Sequence, residues 1–413
     1  MSFLFNSKHS QNDKSASQKV FTREAEHAFE SMKLKLFEKL DVIKQICIKE
    51  VIDSARENNK TLDPLALNTE ALEKFEKVVA REIQKLRFDL INAGKPFAPF
   101  ICNTLEVPAN IGFNYGANIY NAKHNMIICS PSNSSVHFYD ADELTPMKQR
   151  KKKQLNSSVV QMSYCEETDT HLMGCAFGDI YTYNATLNKF KKILKEGDSF
   201  ILAITHLDEN NFAFSSSKSG KLFFGNLKSE KAVQKYSKDS DAWYLHHMPP
   251  KNLLLAGLAN GKIAIYRSKG KDGRYPMVDS LQAHKFGKYV TMITSVNIKG
   301  KEYIITGGND HTIKIWHTLR GRLRLLKVIQ NNEDVSTIVY LENYQMIAST
   351  HHKDYIKFFK LPHGKLEATV NLGLTKARNI FLMKDKNTLG VADLTRNVIK
   401  MVQLHPTENS RED

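Results

Sequence analysis

The stretch Ile304–Trp316, "IITGGNDHTIKIW", decides how this chain is read. Two glycines and an Asn-Asp pair interrupt an apolar run, and an alternating Ile-x-Ile-Trp segment follows: a strand, a tight turn and a half-buried second strand. The same pattern returns along the chain in "SPSNSSVHFY", "GCAFGDIYTY", "SSSKSGKLFFG", "LAGLANGKIAIY", "ASTHHKDYIKFF" and "GVADLTRNVIKMV". With Trp316, the end positions Tyr139, Tyr183, Gly225, Tyr266, Trp316, Phe359 and Val402 are separated by 44, 42, 41, 50, 43 and 43 residues. A lone hairpin has no reason to recur at that spacing. Each interval holds further short apolar segments, such as "TMITSVNI" before this stretch and "LRLLKVIQ" after it. Three or four strands every 40 to 45 residues or so make a four-stranded blade, a sheet that buries both faces only by stacking on its neighbours. Seven anchors predict seven blades.

The repeat "AHKFGKYVTMITSVNIKGKEYIITGGNDHTIKIWH" resembles those of the WD-repeat propellers. Ala283-His284 stands at the family's Gly-His, Thr306 at its strand Ser or Thr, Asp310 in the tight turn, and Trp316 at the Trp of Trp-Asp, with His317 replacing the Asp. The resemblance implies a buried hydrogen-bonded tetrad of His284, Thr306, Asp310 and Trp316, and a buried acid or imidazole is tolerated only when its polar atoms are paired. The other six repeats depart from the pattern. They carry Asn133, Phe177, Ser219, Asn260, Lys353 and Arg396 at the turn acid, and Gly225 and Val402 replace the aromatic anchor.

The last repeat offers "ARNIFLMK", "TLGVAD" and "NVIKMVQL" and then stops at "HPTENSRED", one strand short. Ahead of the first repeat, "FAPFICNTLEV" is a strand-like segment with no blade of its own. A ring that borrows residues 99–107 as the outer strand of its last blade leaves no half-built sheet.

Residues 22–57 and 69–92 have another texture. Thr22, with Glu24 and Glu26 behind it, suits a helix start. Phe29, Met32, Leu36, Leu40 and Ile43 then follow at steps of three and four and mark one apolar stripe. The second segment repeats the stripe through Leu72, Phe75, Val79, Ile83, Leu86 and Leu90, and stops at Gly94 and Pro96. This predicts an α-helical hairpin or coiled coil ahead of a mainly β ring. A first helix of about 54 Å outruns a partner of about 36 Å, so part of its stripe is left for a docking partner or a second copy of the chain. The predicted organisation is a tail over 1–18, the helical hairpin over 19–95, the propeller over 97–406 and a tail over 407–413.

The net charge of +15 is uneven: residues 1–96 carry 17 Lys and Arg against 15 Asp and Glu, leaving a balance of +13 on the remainder. Proteins with acidic surfaces are the expected partners of such a ring, with nucleic acid as the alternative. No run of 18 apolar residues occurs, so no transmembrane helix is expected, and the start "MSFLFNSKHSQNDKSASQK" has too short an apolar run for a secretory signal. The 5 cysteines show no C-x-x-C and suit a reducing compartment. A cytoplasmic place is expected, with the nucleus as the alternative.

Little points to chemistry. "GLANGK" lacks the spacing and the hydroxyl of a phosphate loop. The pairs His246-His247 and His351-His352 read as surface loop histidines, since strand neighbours face opposite ways and chelate poorly. "MKQRKKKQ" at 147–154 reads as the outer strand of the first blade, its lysines guarding an edge. No catalytic residues, metal site or cofactor are expected, and the chain reads as an interaction scaffold, with an RNA- or ribonucleoprotein-associated propeller as the alternative. In the family the turn acid and the Gly-His loop share one face. Here that face is expected to offer the aromatics Phe200, Trp243 and Tyr289 among Lys218, Lys288, Lys353, Arg378 and Arg396.

Overall fold

The computed structural model describes residues 97–404, apart from 109–111, 196, 198, 218–220, 230, 238–239, 268–274 and 320–321. The predicted helices, with Phe29, Met32, Leu36, Leu40 and Ile43, and both predicted tails lie outside the described residues, as does Lys218. The described residues form 28 strands and no long helix. They make seven four-stranded antiparallel blades, and in the first six sequence order is spatial order from the inner strand outward. Blades 1 and 2 share one sheet through a parallel bridge between Gly116 and Gln161. The fold is a mainly β, seven-bladed propeller.

The ring closes by exchange. Blade 7 supplies Ala377–Met383, Thr388–Asp393 and Val398–Gln403, and its outer strand is Phe100–Glu106, paired antiparallel from Phe100 opposite Gln403 to Glu106 opposite Val398. The Val107 amide continues the seam to the Asn397 carbonyl at 2.9 Å. At the same seam Gly112 passes so near Leu394 that a Cβ there would lie 2.0 Å from the Leu394 carbonyl oxygen.

The core is a set of layers between blades. Ile305, Ile313 and Ile315 of blade 5 meet Ile338, Ile347 and Phe359 of blade 6, and Tyr120, Ile127 and Tyr139 of blade 1 meet Phe381, Ile399 and Met401 of blade 7. Alternation along each strand sends side chains to both faces of its sheet, and each face finds the neighbouring blade. The missing aromatic anchor of blade 3 is compensated locally. Gly225 pairs with Phe212, whose ring covers the place a Cβ would take, 2.3 Å away. Gly390 stands in the same relation to Phe381 in blade 7.

Five inner strands carry a bulge near their start, at Val160, Leu202, Trp243, Thr291 and Arg378. A bulge re-aims one side chain. Val160, Leu202, Trp243 and Thr291 line the central channel, a cavity of about 380 Å³.

Candidate functional site: one face of the ring

The tetrad residues converge inside blade 5. Trp316 Nε1 donates to Thr306 Oγ1 at 3.0 Å, Thr306 Oγ1 lies 2.9 Å from His284 Nε2, and His284 Nδ1 lies 2.8 Å from Asp310 Oδ1. All four are buried. One proton arrangement satisfies the whole chain: Nδ1–H donates to Asp310, and the Thr306 hydroxyl donates to Nε2 while accepting from Trp316. Asp310 also accepts from the Thr312 hydroxyl at 2.7 Å and the Lys285 amide at 3.0 Å. Burial opposes ionisation of Asp310. The bonds from His284, Thr312 and the Lys285 amide, with the attraction of His284, outweigh it and hold the carboxyl below its ordinary range.

This chain ties the connection entering blade 5 to the turn between its second and third strands. Each blade has a related tie: the Ser217 amide bonds the Phe200 carbonyl at 2.8 Å, Asn309 that of Tyr289 at 3.1 Å, and Leu394 that of Lys376 at 2.9 Å. Turns and connections therefore share one face.

On that face Phe200 and Tyr289 are exposed, and Tyr289 stacks on Trp243 with centroids 4.7 Å apart and planes 11° apart. Trp243 lies on an inner strand, Ala242–Met248, not in a loop as the sequence suggests, and is half-buried because its bulge turns it toward the channel. Lys288 and Arg396 are exposed; Lys353 is exposed and pairs with Glu333 at 3.3 Å. Arg378 departs from the expected rim cation. It is half-buried, burial pushes its guanidinium down to about 9, and its carbonyl accepts from Thr337 Oγ1 at 2.6 Å and Thr350 Oγ1 at 3.0 Å. Its backbone knits blade 6 to blade 7.

Two face aromatics escape the sequence reading. Phe286 is 82% exposed at the tip of Lys285–Tyr289, a loop held at Lys285 by Asp310 and turned at Gly287 with φ +72°. Phe177 is 57% exposed where other repeats place a polar turn residue. An apolar residue inside a turn, as in "HKFGKY" and "AFGD", is the signal that would have found both.

The acid of blade 7 is Asp393: its Oδ1 accepts from the Thr395 amide at 2.8 Å and hydroxyl at 2.9 Å, and its Oδ2 from the Thr375 amide at 2.6 Å, so Arg396 is not the functional counterpart of Asp310. His246 and His351 are not surface loop residues. His246 sits on an inner strand, 2.9 Å from Ser295 Oγ, and His351 is fully buried, 2.8 Å from Ser349 Oγ. Burial lowers them to about 4 and about 3. Of "MKQRKKKQ" only Lys153–Gln154 forms a strand.

A second buried acid binds blades 1 and 2 at the opposite end of their strands. Asp169 accepts from Thr186 Oγ1 and His124 Nε2, each at 2.6 Å, from Tyr164 OH at 2.9 Å and from Asn121 Nδ2 at 3.2 Å. Burial raises its pKa and these four donors more than reverse that, leaving it below the ordinary carboxylate range. Among the described residues, no three His, Cys, Asp or Glu side chains gather as a metal site.

No family model matches the chain. It is similar to the U3 small nucleolar RNA-associated protein 4 of Saccharomyces cerevisiae, 25% identical over 186 residues, which is 42% of this chain and 23% of that protein. The match therefore spans less than a quarter of that relative's length.

Proposed function

We propose that the chain is a non-catalytic interaction scaffold whose face of turns and connections binds a partner protein with an acidic surface. The observation that carries this is the set of exposed aromatics, Phe177, Phe200, Phe286 and Tyr289, on loops tied down by backbone bonds and set among Lys285, Lys288, Lys353 and Arg396. Rigid aromatics with a cationic rim give binding energy at small entropic cost. The test is affinity capture of the native partner by the full chain and by a Lys288→Glu, Lys353→Glu, Arg396→Glu variant, with mass spectrometry as the readout. Loss of the partner at unchanged thermal stability is expected. Retention by this variant, with loss in a Leu36→Glu, Ile43→Glu variant, would assign recognition to the residues before the ring.

A second reading, membership of a ribonucleoprotein assembly and with it a nuclear location, is supported by the relative named for a small nucleolar RNA and by the basic balance of the ring. Co-purification of RNA with the tagged chain in place of protein would favour it.

A further inference from the structure

Lys148, Lys151 and Lys152 precede the two-residue outer strand of blade 1 and lie in the connection leading to it, where no strand edge needs guarding. That connection is pinned to blade 2 by the arginine in its middle. Arg150 Nη1 donates to the Ala185 carbonyl at 2.8 Å and to the Tyr183 hydroxyl, with its guanidinium carbon 5.9 Å from the Tyr183 ring centre. Asn188 Nδ2 donates to the Gln149 carbonyl at 3.3 Å, and Met147 packs on the apolar layer between the two blades. One cation turned inward thus holds Lys148, Lys151, Lys152 and Lys153 outward, all exposed.

Some lysines of the ring are neutralised, Lys192 by Asp179 at 2.7 Å and Lys353 by Glu333 at 3.3 Å, whereas among the described residues none of these four has a carboxylate partner, and all four lie within six residues. Leu187 is the exposed apolar side chain of this corner, and a protein interface builds on a larger apolar centre. What the corner offers is uncompensated positive charge on a fixed frame. Lysines act as point charges toward phosphate without reading bases.

We propose that this corner, Lys148 with Lys151, Lys152 and Lys153 held out by Arg150, binds the phosphate backbone of a nucleic acid, at a site separate from the protein-binding face. Each neutralised phosphate releases counterions, so affinity falls with salt in proportion to the contacts made.

The experiment is fluorescence anisotropy of a short labelled RNA duplex titrated with the full chain over a salt series. Replacing all four lysines by glutamine should lower the slope of log K against log salt by about 3 to 4 and weaken low-salt binding at least tenfold, with the melting temperature unchanged. Arg150→Lys keeps the charge and loses the two-point hold; it should weaken binding while leaving the slope nearly as it was. Wild-type RNA binding by the quadruple variant overturns the proposal. Equal binding of a poly-glutamate peptide of matched charge also overturns it and assigns the corner to an acidic protein. The Lys288→Glu, Lys353→Glu, Arg396→Glu variant should bind the duplex as wild type does; if it alone lost the RNA, the nucleic-acid site would be the face and not this corner.

Discussion

Gly308 and His284 compete for one space: a Cβ on Gly308 would lie 2.4 Å from His284 Nδ1. In blade 6 the residue in the same register, one past the last paired position of the strand, is His351. Its Nε2 meets Ser349 Oγ at 2.8 Å, as His284 Nε2 meets Thr306 Oγ1 at 2.9 Å. The imidazole arrives from the strand in one blade and from the preceding connection in the other. Asn332, two residues beyond Gln330 as His284 is two beyond Gln282, is correspondingly exposed.

Exchanging the two arrangements should therefore be possible. Gly308→His alone is expected to cost about 2 to 4 kcal/mol through overpacking against His284. Adding His284→Asn should return at least about 1 kcal/mol, a coupling that a double-mutant cycle in urea measures directly.

Trp316 anchors the tetrad by packing and by one hydrogen bond. Trp316→Phe keeps most of the packing and should cost about 1 kcal/mol for the lost donor to Thr306. Trp316→Ala should cost about 3 to 5 kcal/mol. Equal melting temperatures for the two variants would show that the indole N–H, and not the ring volume, carries its contribution.

A chain starting at residue 95 should melt well above one starting at residue 110. The second lacks the strand that pairs with Val398–Gln403 and buries Leu105 and Val107 beside Phe381 and Ile399. Calorimetry of the two chains checks this.

Acid should weaken the ring in two stages. Burial holds His171, His206 and His351 at about 3, 4 and 3, below the ordinary 6.5. The unfolded chain then binds more protons than the folded one below pH 6.5, so their contribution is complete above that pH and declines as pH falls, on the order of 1 kcal/mol per unit for each imidazole. Asp310 and Asp169 are depressed carboxyls, so their contribution is complete above about pH 4 and is lost on further acidification. A urea midpoint that stayed flat from pH 7 to pH 5 would contradict the first stage.

The ring was legible because a blade repeats its apolar alternation wherever its neighbours need a face to stack on; seven anchor strands and the orphan segment at residue 100 announce both the count and the closure. Blade 5 declares its tetrad because the four residue types stand at their usual spacing. Asp169 was not legible: its partners Asn121 and His124 lie 48 and 45 residues earlier, and only the docking of blade 1 on blade 2 selects this acid from "EETD". Arg150 is hidden for a similar reason. Nothing in a run of cations says which one turns toward the Tyr183 ring. Asp393 escaped because it ends the second strand of its blade, in the register that Gly308 holds in blade 5, and does not stand within the turn where the acid is expected.

The closure of blade 7 sets an order of events in the cell. Phe100–Glu106 is among the first parts of the ring to leave the ribosome, and its partner Val398–Gln403 is among the last. Some 300 residues separate them, which at about 5 to 20 residues per second is about 15 to 60 s of synthesis. Until then the early strand has no sheet to join and blade 1 has no neighbour on one side. The ring is thus sealed only after Val398–Gln403 has emerged, and until then the newborn chain carries an open apolar flank, a period in which a chaperone or an assembly partner has the surface to itself.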